Sequence, residues 1–234
     1  MIRTIIMLVF WAAMLPVAAI VAFPFALLGD IRPLYRIGMW TAFAGVRLAG
    51  VKVKTVGMER LDPKQTYVFM FNHVSNIDPP LALPLLPGRT SVMVKKELFN
   101  VPVFGKAMRL ASLVPVDRGN RDAGIAAVRE AMEVVKKGIH MGIYVEGHRS
   151  YDGKLLPFKK GPFYLAEECH VPVVPVTISG THYVMPKGRF SIKPGVVTLI
   201  FHEPIEPANF GTRDQLMEKV RAAINAGLLP QYQS

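Results

Sequence analysis

Short runs of β-branched and apolar residues alternate with stretches of helical periodicity from residue 51 to the end of the chain. Six runs are strand candidates, at residues 51–56, 67–71, 91–94, 139–145, 173–178 and 196–201. Strands that alternate with helices are typical of an α/β fold. At 234 residues the chain is long enough for one well-buried domain and short for two. The pattern predicts a single mixed-sheet α/β domain flanked by helices, over residues 51–234.

Two of the predicted helices have clear boundary signals. The first contains apolar residues at helical spacing, namely Ile125, Val128, Met132 and Val135, and Gly138 is expected to end it. The second begins with a capping-box pattern at Thr212 and Gln215. Its apolar face is Leu216, Val220 and Ile224, and Gly227 is expected to close it.

The N-terminal segment, residues 1–50, is predicted to attach the protein to a membrane through two hydrophobic helices. Residues 4–29 contain no charged side chain, which is long enough for one membrane span of ~20 residues. Pro16 and Pro24 are expected to interrupt this run. A second apolar segment, residues 34–51, carries the headgroup-seeking residues Tyr35, Arg36, Trp40 and Arg47. Two short helices in one leaflet are therefore favoured over one true span, and a cleaved signal peptide is the third alternative.

The composition narrows the partners and the compartment. Lys and Arg number 28 against 17 Asp and Glu, and the net charge of +11 would attract anionic lipid, nucleic acid or a phosphorylated substrate. No nucleic-acid-binding motif stands out, so no nucleic-acid partner is expected and membrane lipid is favoured. The single cysteine, Cys169, excludes an intramolecular disulfide, and no metal-ligand spacing is present. We expect a membrane-associated protein on the cytoplasmic face of the cell membrane, without a metal.

His73 and Asp78 are the predicted catalytic pair. They follow a strand candidate directly, and residues five apart point about 140° away from each other on a helix, so they can pair only across a turn. Asp78 before Pro79 resembles a helix N-cap with proline in the first turn. Asp78 would then hold one imidazole nitrogen and leave the other free as a base, as in a catalytic triad without its serine. The alternative is a structural His73 beside a helix-capping Asp78.

Four blocks of the sequence resemble, in order, the motifs of the 1-acyl-sn-glycerol-3-phosphate acyltransferases, a branch of the glycerolipid acyltransferases. The blocks are Asn72-His73 to Asp78-Pro79, Val116-Asp117-Arg118, Tyr144-Val145-Glu146-Gly147-His148-Arg149-Ser150 and Val171-Pro172-Val173-Val174-Pro175-Val176. Lys95-Lys96-Glu97-Leu98 and Phe158-Lys159-Lys160-Gly161 also look like parts of that family. Two residues depart from the third motif. Val145 replaces the usual proline, and His148 replaces threonine, which bears on acceptor selectivity.

The resemblance implies a substrate site around these blocks. Arg118 and Arg149 are expected to bind a phosphate through paired guanidinium hydrogen bonds. Lys96, Lys159 and Lys160 are expected to add positive charge, although solvated surface lysines are an equal alternative. Glu146 is expected to order the acceptor site, or else to form a structural salt bridge. Gly147 is expected to let the backbone approach the substrate closely.

The implied activity is transfer of a fatty acyl group to the sn-2 hydroxyl of 1-acyl-sn-glycerol-3-phosphate, which gives phosphatidic acid. The donor would be acyl-CoA or acyl carrier protein, and no cofactor is needed. Three alternatives stay open: another lysolipid acceptor, a non-catalytic protein that binds anionic lipid, and a serine hydrolase that uses Ser75. The hydrolase is disfavoured because the chain has no G-x-S-x-G elbow.

Overall fold

The computed structural model describes residues 1–27, 30, 32–101, 104–117 and 119–233. The strands are β1 (Val51–Val56), β2 (Val68–Phe71), β3 (Thr90–Lys95), β4 (Val114–Val116), β5 (His140–Tyr144), β6 (Val173–Ser179) and β7 (Gly195–Phe201). The helices are α1 (Ile2–Leu27), α2 (Arg32–Leu48), α3 (Asp78–Ala82), α4 (Phe104–Leu110), α5 (Arg121–Lys136), α6 (Gly161–Cys169), α7 (Thr181–Val184) and α8 (Arg213–Ala226). All six predicted strands are present, with bounds that differ by no more than one residue. The seventh, β4, was missed because three residues are too few to show a period.

The strands form one mixed seven-stranded sheet in the order β1-β7-β6-β2-β5-β3-β4. β6 and β7 are antiparallel, and every other neighbouring pair is parallel. The predicted single α/β domain with a mixed sheet is therefore confirmed. In register, Phe71 at the end of β2 lies opposite Tyr144 at the end of β5. The chain segments that leave these two strands begin side by side at the same edge of the sheet.

Helices cover both faces of the sheet, because alternate side chains of each strand point to opposite faces. On one face, Val68 and Met70 belong to an apolar core with residues of α5, α6 and α8. On the other face, Phe69 and Phe71 belong to a core that includes Met7 of α1, Val46 of α2 and Leu81 of α3. The fold is thus a three-layer α/β arrangement in which α1 and α2 pack on the same face as α3.

The N-terminal helices differ from the prediction in one respect. Pro16 and Pro24 both lie inside α1, so they do not interrupt the helix. α1 packs against α2, and the indole of Trp11 donates a hydrogen bond of 3.1 Å to the carbonyl of Thr41. Contacts of this kind help to offset the backbone hydrogen bond that each proline removes. Within the described part of the chain, no helix combines the length and the apolarity needed to cross a bilayer.

The capping box at the start of α8 is confirmed. Thr212 Oγ1 accepts a hydrogen bond from the backbone N–H of Gln215, and the Gln215 side chain accepts one from the backbone of Thr212. Leu216, Val220 and Ile224 are fully buried, as their spacing predicts. α5 ends before Gly138, which has a φ of 73° and so adopts the left-handed conformation that favours glycine.

Candidate active site

The turn after β2 brings His73 and Asp78 together. Nδ1 of His73 lies 2.8 Å from Oδ2 of Asp78, and both residues are buried. The same Oδ2 accepts the backbone N–H groups of Val74 and Ser75 at 2.9 and 2.8 Å. These two bonds fix the carboxylate independently of the imidazole. With the proton on Nδ1, the ring is held in one orientation and Nε2 is the nitrogen that can accept a proton.

Asp78 was predicted to be the N-cap of the following helix, and this is wrong by one residue. Ile77 is the N-cap, and Asp78 is the first residue of α3, followed by Pro79. The Asp78 side chain does not cap its own helix because it turns back to the N–H groups of residues 74 and 75. The helix thus places the carboxylate, while the turn that precedes it supplies the hydrogen-bond donors.

Glu146 joins the turn of residues 72–78, hereafter called the catalytic turn after its predicted role, to a second loop. Its Oε1 accepts the backbone N–H of His73 at 2.7 Å, and its Oε2 accepts the backbone N–H of Leu156 at 2.7 Å. The residue is only 2% exposed. Burial raises the pKa of Glu146 to about 7, even though both backbone hydrogen bonds favour the ionised form. In this geometry, the Glu146 carboxyl group connects two loops through backbone hydrogen bonds.

Two further side chains, Tyr144 and Asn72, constrain the His73 ring and its backbone. Both belong to the motif blocks, but the sequence predicted no role for either. The ring of Tyr144 lies 4.2 Å from the His73 ring, centroid to centroid. Burial and the Asp78 carboxylate raise the pKa of Tyr144 well above its usual value. The Asn72 side chain exchanges two hydrogen bonds with the backbone of Ile178, at 3.0 and 2.7 Å. Asn72 therefore fixes the start of the turn to β6.

Arg149 and Lys159 are the predicted phosphate-binding cations that have no carboxylate partner in the described part of the structure. The guanidinium of Arg149 donates to the side-chain oxygen of Asn76, an exposed residue of the catalytic turn. The next residue, Ser150, donates its backbone N–H to the carbonyl of His73 at 2.8 Å, so this segment lies beside His73 although it is distant in sequence. The Lys159 side chain passes close to Gly147, where an added Cβ would lie 3.4 Å from its Cγ and Cε atoms. Gly147 has a φ of 72°, so glycine suits this turn.

The other predicted cations are placed differently. Lys160 forms an ion pair of 3.0 Å with Asp214 at the start of α8, and Lys96 forms one with Asp117 at 2.5 Å. Each of these two exposed lysines therefore already has an anionic partner. Lys96 and Asp117 follow β3 and β4 at the same sheet edge as His73, but β4 is three strands from β2, or roughly 14 Å. Arg118 lies outside the described residues.

The two departures from the third motif have visible places in the structure. The backbone N–H of Val145 donates to the carbonyl of Phe71 at 3.1 Å, a hydrogen bond that a proline could not make. Val145 therefore extends the pairing of β5 with β2 by one bond. His148 lies on the exposed part of the turn that follows. Its effect on acceptor selectivity stays a prediction.

The site thus combines an oriented imidazole with two cations at one sheet edge. The His73 imidazole, held by Asp78, can remove a proton from a substrate hydroxyl. Arg149 and Lys159 can attract an anionic group nearby. Among the described residues, no group of three or more His, Cys, Asp and Glu side chains is arranged to hold a metal ion.

The chain is similar to known acyltransferases. The family model named Acyltransferase matches residues 52–179, which include His73, Asp78, Glu146 and Arg149. A 1-acyl-sn-glycerol-3-phosphate acyltransferase of Limnanthes douglasii is 36% identical over 73% of this chain and 59% of its own length. A chloroplast protein of the same name from Arabidopsis thaliana is 33% identical over 91% of this chain and 60% of its own length. The chain thus spans less than two thirds of these relatives.

A solved structure covers nearly the whole chain. The crystal structure of the 1-acyl-sn-glycerophosphate acyltransferase from Thermotoga maritima has a TM-score of 0.79 to this structure and 28% sequence identity. The match covers 97% of this chain and 95% of the other. Since the family model matches more than half of the residues, and matches them across the site, this chain belongs to the acyltransferase family.

Proposed function

We propose that this protein transfers a fatty acyl group from an acyl thioester to the sn-2 hydroxyl of 1-acyl-sn-glycerol-3-phosphate, and so forms phosphatidic acid. The observation that carries the proposal is the 2.8 Å contact between His73 Nδ1 and an Asp78 carboxylate that two backbone N–H groups hold in place. The names of the Limnanthes, Arabidopsis and Thermotoga proteins support this choice of acceptor. Acyl-CoA and acyl carrier protein are both suitable donors.

The reaction needs one base and no acyl-enzyme. Nε2 of His73 removes the proton of the acceptor hydroxyl while its oxygen bonds to the thioester carbonyl carbon. Asp78 stabilises the imidazolium that forms. The carbon–sulfur bond then breaks, and the thiolate leaves and takes the proton from Nε2. A cysteine-like thiol with a pKa of roughly 8.5 is a good leaving group, so this step needs little help from an acid.

The acceptor phosphate is proposed to bind at Arg149 and Lys159. Arg149 contacts Asn76 of the catalytic turn, so a phosphate at this guanidinium would hold the rest of the acceptor close to His73. Arg118, Lys96 and Lys160 are proposed to add to the positive field. Glu146 and Gly147 are proposed to shape the site through the backbone, since the Glu146 carboxylate is occupied by the N–H groups of His73 and Leu156.

Residues 1–50 are proposed to attach the domain of residues 51–234 to the cytoplasmic face of the cell membrane. The apolar side chains of α1 that do not pack on the domain support this, because Ile2, Ile5, Val9 and Ile20 are each more than half exposed. A lysolipid keeps its acyl chain in the bilayer and its hydroxyl at the surface. An enzyme held at headgroup depth can therefore reach that hydroxyl without extracting the lipid.

The test is release of free thiol from acyl-CoA and from acyl carrier protein, with and without the acceptor. We expect thiol release that depends on 1-acyl-sn-glycerol-3-phosphate, together with equimolar phosphatidic acid. The His73→Ala variant should lose at least a hundredfold in turnover, because general-base catalysis contributes about 10²–10⁴-fold. Thiol release that needs no acceptor would indicate a hydrolase. A panel that includes lysophosphatidylglycerol separates the acceptors, and near-normal turnover without His73 would refute the mechanism.

A further inference from the structure

Residues 185–193, hereafter the basic loop, present an aromatic ring among positive charges. The loop contains Lys187, Arg189 and Lys193 and no acidic residue. Phe190 is 77% exposed, although burial of a phenylalanine side chain away from water is favourable. The ring is not packed in the core, a turn does not require it, and it has no part in the proposed reaction. A large exposed aromatic residue flanked by cations is typical of a surface that enters a lipid headgroup layer.

The basic loop is fixed to the start of α1. The backbone N–H of Ile192 donates to Thr4 Oγ1 at 3.0 Å, and the N-terminal amino group of Met1 donates to Ser191 Oγ at 3.1 Å. The Ile192 side chain is buried in the same core as Met7. The basic loop is therefore bonded to the first turn of α1, where the side chains of Met1 and Ile2 are exposed.

The other end of the basic loop contacts the active site. The carbonyl of Met185 accepts a hydrogen bond from Ser75 Oγ, which belongs to the catalytic turn. The ammonium of Lys187 donates to the carbonyl of Arg149 at 2.7 Å and lies 3.6 Å from the centre of the Tyr151 ring. The loop thus connects the start of α1 to the turn that holds His73.

We propose that the basic loop is a second membrane contact, in which Phe190 enters the headgroup layer while Arg189 and Lys193 bind anionic lipid phosphates. This inference rests on the membrane attachment that forms part of the proposed function. The occupant is a lipid surface because the loop is bonded to the first turn of α1, a helix with many exposed apolar side chains, and has the charge opposite to that of anionic lipids. A loop seated in this way would hold the catalytic turn at a fixed height above the bilayer.

The first experiment places an environment-sensitive fluorophore at position 190. Phe190→Cys in a Cys169→Ser background provides a single labelling site in the full chain. Glu130→Cys in the same background is the control, since Glu130 is an exposed residue of α5 on the opposite face of the sheet. We expect a blue shift at position 190, and none at position 130, on addition of phosphatidylcholine vesicles that contain phosphatidylglycerol.

The possible outcomes distinguish the loop contact from the membrane attachment of α1 and from the proposed reaction. An unchanged signal at position 190, in a protein that still sediments with the vesicles, overturns the loop contact alone. A protein that binds no vesicle overturns both the loop contact and the membrane attachment. A response to acyl carrier protein without any response to vesicles identifies a protein-binding loop and also overturns the inference. If the wild-type protein shows no acceptor-dependent thiol release while the signal at position 190 responds to vesicles, the proposed reaction is refuted and the loop contact stands.

The second experiment removes charge. The Arg189→Gln/Lys193→Gln variant should bind phosphatidylglycerol-containing vesicles about tenfold more weakly, while its weaker binding to pure phosphatidylcholine stays the same. Arg129→Gln/Lys137→Gln is the matched control, because it removes two exposed cations at α5. Equal losses in the two variants would show a general effect of net charge and would contradict a specific contact by the loop.

Discussion

The backbone N–H of His73 donates a 2.7 Å hydrogen bond to the buried carboxylate of Glu146, two residues beyond the paired ends of β2 and β5. This bond fixes the backbone of the catalytic turn, while Asp78 fixes the imidazole ring of His73. The second oxygen of Glu146 holds the loop at Leu156. Glu146 is therefore a positioning residue in the proposed reaction.

The raised pKa of the buried Glu146 carboxyl group predicts that stability depends on pH. Its pKa is raised to about 7 in the folded protein from 4.5, so the folded state retains a proton that the unfolded state loses. This contribution to the free energy of unfolding is present below about pH 4.5 and is lost as pH rises through about 7, a change of roughly 3 kcal/mol. Urea denaturation at pH 5 and pH 8 measures it.

Glu146→Gln is the matched variant for this prediction. The amide does not titrate, so the difference in unfolding free energy between the two pH values should shrink relative to the wild type. The variant should also be less stable than the wild type at pH 5, where both side chains are neutral, because the amide nitrogen cannot accept one of the two backbone N–H groups. Identical pH profiles for the two proteins would show that Glu146 does not carry this proton.

Tyr144→Phe is predicted to stabilise the protein by about 1 kcal/mol and to retain activity. The Tyr144 hydroxyl is buried and has no hydrogen-bond partner among the described residues, whereas its ring packs against His73. Tyr67→Phe is the control. The Tyr67 hydroxyl accepts the backbone N–H of Asp62 at 2.8 Å, so its removal should destabilise by a similar amount. Thermal or urea denaturation of both variants decides the matter, and a destabilised Tyr144→Phe would reveal a partner for that hydroxyl.

The sequence predicted the fold and the contact between His73 and Asp78 well because both depend on local signals. Alternating β-branched runs located six strands, and the turn chemistry around Asp78 explained how it could meet His73. The contacts of Tyr144 with His73 and of Lys187 with Arg149 were not predictable, since they depend on which strands are neighbours. The role of Glu146 was uncertain for the same reason. A carboxylate beside a strand end suggests a ligand or a salt bridge, and only the register of β2 with β5 shows that backbone N–H groups occupy it.

Lys159 and Lys160 are adjacent in sequence but should differ in their effect on the acceptor. Lys160 is paired with Asp214, whereas Lys159 makes no ion pair among the described residues and lies beside Gly147. Lys159→Gln should raise the KM for 1-acyl-sn-glycerol-3-phosphate about tenfold through loss of a charge-assisted contact, with kcat nearly unchanged. Lys160→Gln should change the KM less than twofold. Steady-state kinetics over a range of acceptor concentrations compares them, and equal effects would indicate a diffuse electrostatic role for both.

Membrane attachment through α1 can be tested by two substitutions two residues apart. Val9 is 61% exposed, whereas Met7 is 3% exposed and packs in the core against the sheet. Val9→Glu removes apolar surface and adds a charge that anionic lipid repels, so binding to phosphatidylglycerol vesicles should weaken roughly tenfold or more without loss of thermal stability. Met7→Glu buries an unpaired carboxylate and should lower the melting temperature markedly. Flotation with vesicles and thermal denaturation distinguish the two effects. If Val9→Glu still floats like the wild type, the exposed face of α1 is not the surface that meets the membrane.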